Sequence, residues 1–165
     1  MYNRSMKSSI AAFKYGARKE YGRYYAAELA KKHESWIKKT GAQALIPVPI
    51  HKERHKKRGY NQAKVIADYL EGETGIPVID DYLIRIKNTE ALKELSAAER
   101  KASLEDAFLV SETSKLLYRN LRCVILVDDI YTTGSTINEC AATLKKFILK
   151  FFISFLVYRF SQIFK

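Results

Sequence analysis

The stretch Val124–Thr136, VILVDDIYTTGST, decides how this chain folds. With Cys123 ahead of it, five consecutive apolar residues, CVILV, stand between Arg122 and Asp128. An unbroken apolar run of that length, bounded by charge, suits a strand buried on both faces of a parallel sheet better than a half-exposed one. The strand delivers two adjacent carboxylates, Asp128 and Asp129, to its carboxyl end, and ligands bind there in open α/β sheets. The polar turn after them, Thr132–Thr133–Gly134–Ser135–Thr136, leads into a predicted helix. It offers backbone N–H groups, four hydroxyls and the positive end of a helix, a natural seat for a phosphate monoester. Gly134 lets the backbone approach an anion closely and adopt φ > 0. Thr136 and Glu139 form a capping-box pattern at the expected helix start. A bare pair of aspartates would do no more than end a strand and cap a turn; followed by TTGST, the pair reads as part of a binding site.

Outward from this segment the pattern alternates strand and helix. Glu20 to Lys39 carries Ala26, Leu29, Ala30, Trp36 and Ile37 at helical spacing, with Gly41 as a stop signal. A short strand, ALIPV, comes next at 44–48. Asn61 is placed to cap a helix running to about Leu70, with Ala63, Ile66, Ala67 and Leu70 on one face and GETG closing it. IPVI at 76–79, YLIRI at 82–86 and AFLV at 107–110 are strand candidates, and Ser96 with Glu99 could start a short helix between the last two. The order is βαβ-like, hence α/β with a mainly parallel sheet flanked by helices.

At 165 residues and 47% hydrophobic composition the chain can bury one ordinary core. One domain is expected: a helical N-terminal part at 1–43, an α/β core at 44–160, and an end at 147–165 with the least regular pattern. The run from Phe147 to Phe164 is apolar, but Lys150 and Arg159 interrupt it. A bilayer span needs about 20 apolar residues, so FFISFLV at 151–157 reads as a buried last strand instead. No membrane span and no secretory signal are read from the sequence, and a cytoplasmic location is expected. The only cysteines, Cys123 and Cys140, form no CxxC or Cys/His cluster, which argues against a disulfide framework or a structural zinc.

The formal charge of +11 is concentrated. Residues 1–60 hold 15 Lys/Arg against 4 Asp/Glu, whereas 61–165 hold 14 against 14. An anionic partner and a solvated basic face both fit that asymmetry. Its densest part is LIPVPIHKERHKKRGYNQ at 45–62, where a loop with His51, Lys52, Arg54, His55, Lys56, Lys57 and Arg58 joins strand to helix.

VILVDDIYTTGST is similar, position by position, to the phosphoribosyl-pyrophosphate (PRPP) signature of type I phosphoribosyltransferases. The PVP strand end, the basic stretch and Arg58–Gly59–Tyr60–Asn61–Gln62 resemble the ComF branch of that family. Thr89–Phe108, TEALKELSAAERKASLEDAF, resembles a third ComF segment in Thr89, Leu95, Arg100, Ala107 and Phe108, with Leu92 and Ser103 departing from its usual Gln and Asn. The resemblance covers roughly residues 10–145. It implies the type I phosphoribosyltransferase fold with a small hood built from N-terminal and neighbouring segments. Other members commonly begin with a four-cysteine zinc element, and this sequence is expected to start after it.

The resemblance further implies roles for single residues. Asp128 and Asp129 would contact the ribose hydroxyls, in keeping with their acceptor chemistry, while Thr132, Thr133, Gly134, Ser135 and Thr136 would hold the 5′-phosphate. His51, Lys52, Arg54 and Arg58 would face pyrophosphate, although a solvated basic surface explains those cations equally well. Residues 85–103, with Arg100, would form a flap. Mg²⁺ would arrive with PRPP, without a dedicated protein metal site. His51 and His55 could carry protons near neutrality, but a surface histidine in a basic loop is the commoner case. The implied activity is phosphoribosyl transfer, with a link to competence and DNA uptake. The alternatives are a competence factor binding single-stranded DNA, using Tyr15, Tyr21, Tyr24, Tyr25 and Tyr60 among basic residues, or a PRPP-sensing regulator without catalysis.

Overall fold

A computed structural model describes residues 13, 19–88, 106–129, 134–148 and 150–152. Its centre is the apolar run read from the sequence. Strand β4 (Cys123–Val127) is buried along its whole length. It pairs in parallel with β1 (Ala44–Pro47) on one side and with β5 (Lys150–Phe152) on the other. The register sets Ala44 opposite Val124 and Pro47 opposite Val127. On the far side of β1, Val78 makes a single parallel bridge to Leu45, with Leu45 N–H donating to the Pro77 carbonyl at 2.8 Å. The expected IPVI strand is thus reduced to one bridge, because Pro77 has no N–H with which to extend a ladder.

Alternation along β1 and β4 divides the core in two. Ala44, Ile46, Val124 and Leu126 face one side, where they pack with α5 (Ser135–Lys145), β2 (Leu83–Arg85) and β3 (Phe108–Val110). Leu45, Ile125 and Val127 face the other, against α1 (Glu20–Thr40) and α3 (Gln62–Thr74). The protein is therefore mixed α/β, with a small parallel sheet between helices and a separate antiparallel pair, β2–β3. A short α2 (Lys52–Arg58) comes after β1, and α4 (Glu112–Leu117) after β3. Among the described residues no helix is long and apolar enough to cross a membrane.

Helix α1 forms where its periodicity predicts, with Tyr25, Ala26, Leu29, Ala30 and Ile37 buried and Gly41 ending it at φ 63°. Trp36, on the flank of that stripe, stays 36% exposed. The apolar stripe of α1 packs against α3, Leu45 and Ile125. Helix α3 begins at its Asn61 cap as expected and runs on to Thr74, so the GETG segment is its last turn, with Gly75 closing it at φ 71°. Residues 107–110 and 82–86 do give strands, shortened to 108–110 and 83–85. The Ser96/Glu99 helix start and most of FFISFLV lie outside the described residues, although 150–152 pair with β4.

The opposite end of the sheet from the acidic pair is closed by one side chain. Gln43 Oε1 accepts from the N–H groups of Arg122 at 2.7 Å and Cys123 at 3.2 Å. Both cysteines are buried and unpaired with each other. Cys123 Sγ lies 3.4 Å from the Thr40 carbonyl oxygen, to which it donates.

The contact of α1 with α3 depends on a small residue. A Cβ on Gly22 would lie 2.8 Å from Val65 Cγ1 and 3.3 Å from the Phe13 ring. Gly22→Ala should gain about 1 kcal/mol of helix propensity but lose about 2 to 3 kcal/mol to overpacking. A net loss of stability of about 1 to 2 kcal/mol is expected in chemical denaturation.

Candidate functional site

Because β1 and β4 are parallel neighbours, the chain leaves both of them at the same edge of the sheet. Val48 N–H extends the ladder by donating to the Val127 carbonyl at 2.7 Å. Beyond that bond, one segment turns through Pro49 and Ile50 to His51, and the other passes into Asp128 and Asp129. The basic segment and the acidic pair, far apart in sequence, are thereby brought to one edge by a single strand pairing.

The basic segment is a helix, where the sequence suggested a loop. Its residues, KERHKKR, include none that is buried, so there is no apolar periodicity to read. Local capping defines it instead. His51, with extended backbone, accepts from Glu53 N–H through Nδ1 at 3.4 Å. Gly59, at φ 80°, returns its N–H to the His55 carbonyl at 2.8 Å. His51 is 7% exposed, in contrast to the surface position expected for it, because its ring is the cap. Lys52, His55, Lys56 and Lys57 are exposed, while Arg54 and Arg58 are half-buried.

The Arg58–Gln62 motif acts as a clip between β1 and α3. Asn61 Oδ1 accepts from Ala63 N–H at 3.1 Å as the N-cap, and its Nδ2 donates to the Val48 carbonyl at 3.0 Å. Gln62 is buried and accepts from Arg58 Nη1 at 3.4 Å. Tyr60 is buried, its hydroxyl donating to the Phe13 carbonyl, and burial pushes its phenol up from the ordinary range. Arg58, read as a pyrophosphate contact, thus has a place in this clip. Of the tyrosines named as base-stacking candidates, Tyr25 and Tyr60 are buried, Tyr21 is half-buried and stacked on Tyr25, and Tyr24 is 48% exposed. Tyr15 lies outside the described residues.

Asp128 and Asp129 are half-buried at the end of β4. Asp128 Oδ1 accepts from Asp129 N–H at 2.8 Å. Thr132 and Thr133 lie outside the described residues, as does Arg100. Gly134 is in the left-handed region at φ 77° and is itself the N-cap of α5, with Asn138 N–H donating to its carbonyl at 2.9 Å. Thr136 therefore sits inside the first turn, and the expected Thr136/Glu139 capping box does not form. Glu139 Oε1 accepts instead from Asp106 N–H at 3.2 Å. Glycine contributes no side-chain cap bond of its own, and the start of a helix is where backbone amides can meet an anion.

One residue at this edge was missed in the sequence. Arg85, at the end of β2, points inward. Burial lowers its pKa first, Arg54 lowers it further, and the Asp128 carboxylate raises it. On α5, burial pushes the Cys140 thiol well above its ordinary range, and Asp128 adds to that rise. The signal was present in YLIRI: strand period places Arg85 on the face of buried Leu83, but an arginine between two isoleucines argues for the reverse.

The chain is a mixed α/β protein whose parallel sheet carries an acidic pair, a glycine-capped helix and a basic helix at its carboxyl edge, the edge at which open α/β sheets bind ligands. The chain is 40% identical over 105 residues to competence protein F of Haemophilus influenzae, covering 63% of this chain and 44% of that protein. It is 28% identical over 143 residues to competence protein ComFC of Bacillus subtilis, covering 87% of this chain and 55% of that one. With the DNA utilization protein YhgH of Salmonella typhi it shares 32% over 100 residues, 61% of this chain and 42% of that protein. The chain is thus similar to competence and DNA utilization proteins, and it spans about half the length of these relatives. No family model matches it, and no solved structure matches it.

Asn61 is the joint of the clip, and replacing it should be felt beyond the cap. Asn61→Ala removes the cap, about 1 kcal/mol, and leaves the Val48 carbonyl without its donor, about 1 kcal/mol more. Asn61→Asp retains the cap and should lose only the second part. Urea unfolding of the two variants against wild type measures the difference.

Proposed function

We propose that this protein binds PRPP at the carboxyl edge of its parallel sheet and transfers the phosphoribosyl group, in service of the uptake or use of DNA. The observation that carries this reading is the convergence of Asp128 and Asp129, the glycine-capped start of α5 and the basic α2 at one sheet edge. PRPP has the matching parts: vicinal hydroxyls for carboxylates, a monoester for helix amides, and a pyrophosphate for cations. The names of the relatives, competence proteins and DNA utilization proteins, support the biological half.

In this reading Asp128 and Asp129 accept hydrogen bonds from the ribose hydroxyls and stabilise positive charge developing at C1′. The segment Thr132–Thr136 holds the 5′-phosphate against the start of α5. A nitrogen nucleophile forms its bond to C1′ as the bond from C1′ to the pyrophosphate oxygen breaks. Lys52, Arg54 and the neighbouring cations then stabilise the charge on the departing pyrophosphate. In this reading a magnesium ion would arrive with PRPP and be held largely by the ligand's own oxygens. Bound in that way, the ion would offset leaving-group charge.

Calorimetry with PRPP and Mg²⁺ tests the site. Wild type should bind, and the Asp128→Asn/Asp129→Asn double variant should bind at least about tenfold more weakly, a loss of about 1.4 kcal/mol. Equal affinity would remove the assignment. Pyrophosphate release across a panel of adenine, guanine, hypoxanthine, uracil, orotate and ammonia then identifies the acceptor.

A second reading, single-stranded DNA binding without catalysis, draws on the exposed basic side chains of α1, including Arg23, Lys31, Lys38 and Lys39 with Tyr24 among them. Fluorescence anisotropy with a single-stranded oligonucleotide should then show affinity falling steeply with salt and indifferent to PRPP. No binding near physiological salt would discard it.

A further inference from the structure

Among the described residues the two most exposed large apolar side chains are neighbours: Leu116 and Leu117, on α4, are 75% and 68% exposed. Apolar side chains scattered singly over a surface are ordinary, whereas adjoining ones rimmed by charge mark a place of contact. Lys115 lays its ammonium 4.5 Å from the centroid of the Phe147 ring, and Phe147, just past the end of α5, is itself 46% exposed. That contact sets the leucine segment beside the end of α5. The chain after the leucines turns, with Leu121 N–H donating to the Tyr118 carbonyl at 2.9 Å and Arg122 N–H donating to Gln43. Tyr118 and Leu121 pack into the core, while Arg119 and Arg122 are exposed, as is Lys146 next to Phe147. Neither 113–127 nor 140–148 contains an acidic residue. Glu112, just ahead of the first stretch, pairs with Lys115 at 2.5 Å. A cation at a helix end offsets the helix dipole, which accounts for Lys146. It accounts neither for two arginines in the turn between α4 and β4 nor for two leucines facing water.

We propose that this surface rests on an anionic lipid bilayer, with Leu116, Leu117 and Phe147 entering the acyl boundary and Arg119, Arg122 and Lys146 meeting lipid phosphates. The charge pattern, three cations and no acid among them, is complementary to a uniformly negative surface. The protruding side chains call for hydrocarbon, which the boundary between headgroups and acyl chains supplies at the depth where flanking cations reach phosphate. Nucleic acid matches the charge but not the leucines, because its bases are gripped by stacking on aromatic rings. Contact of this kind lies on a membrane without spanning it, and so needs no long apolar helix. Because Gln43 ties Arg122 at the start of β4, the bilayer would meet the sheet edge away from Asp128 and Asp129, leaving the carboxyl edge facing water. The proposal is independent of which ligand that edge takes.

Flotation with vesicles of phosphatidylcholine alone, and of equal parts phosphatidylcholine and phosphatidylglycerol, tests the surface on wild type, Leu116→Ser/Leu117→Ser and Arg119→Gln/Arg122→Gln, with thermal unfolding of each protein. Wild type should partition at least about tenfold more strongly to the mixed vesicles, and the preference should shrink as salt is raised. Each double variant should lose at least about tenfold of that partitioning while unfolding near the wild-type temperature. The single changes Leu116→Ser and Arg119→Gln, read in the same way, stand in for a double variant that unfolds early. Wild type that floats with neither vesicle, or equally with both, overturns the proposal. So does flotation that either double variant retains in full, which would place the contact on another part of the protein. A dimer in sedimentation equilibrium that Leu116→Ser/Leu117→Ser breaks, without flotation, would assign the surface to a second copy and overturn the bilayer. Binding of a single-stranded oligonucleotide that Arg119→Gln/Arg122→Gln abolishes, again without flotation, would assign it to nucleic acid with the same result.

Discussion

The parallel pairing of β1 with β4 is the constraint on which the site depends. Both strands are buried throughout, so their register is fixed from two sides: Leu45 and Ile125 must meet α1 and α3 while Ile46 and Leu126 meet α5 and the β2–β3 pair. A slip of one residue would send each side chain into the wrong layer. Gln43 secures one end of the pair by accepting two backbone N–H groups, and Asn61 secures the other by holding the Val48 carbonyl. Between these ties, the positions of His51 and Asp128 relative to each other are set by backbone geometry, leaving little to side-chain choice.

The edge so formed collects its charges from four separate elements. The basic helix brings Arg54, β2 brings Arg85, β4 leads into the acidic pair, and α5 begins at a glycine cap. Arg54, Arg85, Asp128 and Asp129 are half-buried, and partly buried charges interact more strongly than exposed ones. The exposed lysines of α2 add to the field at this edge, whereas Arg85 is oriented by the Phe108 ring and the Lys87 carbonyl.

How legible each element is in the sequence depends on how it is specified. Helices α1 and α3 carry apolar stripes and a readable stop or cap, so their existence and most of their bounds were legible, as was β4 from its unbroken apolar run. Helix α2 was not, because KERHKKR has no face to bury and its shape comes from His51 and Gly59. The Ile76–Ile79 segment looked like a strand from its side chains, but Pro77 limits what its backbone can donate. Asp128, Asp129 and Gly134 could be located from their motif, while Arg85 could not. Its direction is a matter of register with Phe108, a partner on another strand, and the local pattern favours the opposite face. The tyrosines misled for a related reason: a tyrosine among lysines reads as a stacking surface, yet Tyr25 and Tyr60 commit their rings to the packing of α1, α3 and Phe13.

The burial of both cysteines has a practical consequence. Thiolate is the form that reacts with maleimides and iodoacetamides, and it is disfavoured where the surroundings are apolar. Cys123 is enclosed at the start of the central strand, and burial drives the Cys140 thiol well upward. A cysteine introduced at an exposed position would therefore be the one thiol open to a fluorophore or spin label in the native protein. Placed on α2, such a probe would report events at the sheet edge without removing either natural cysteine.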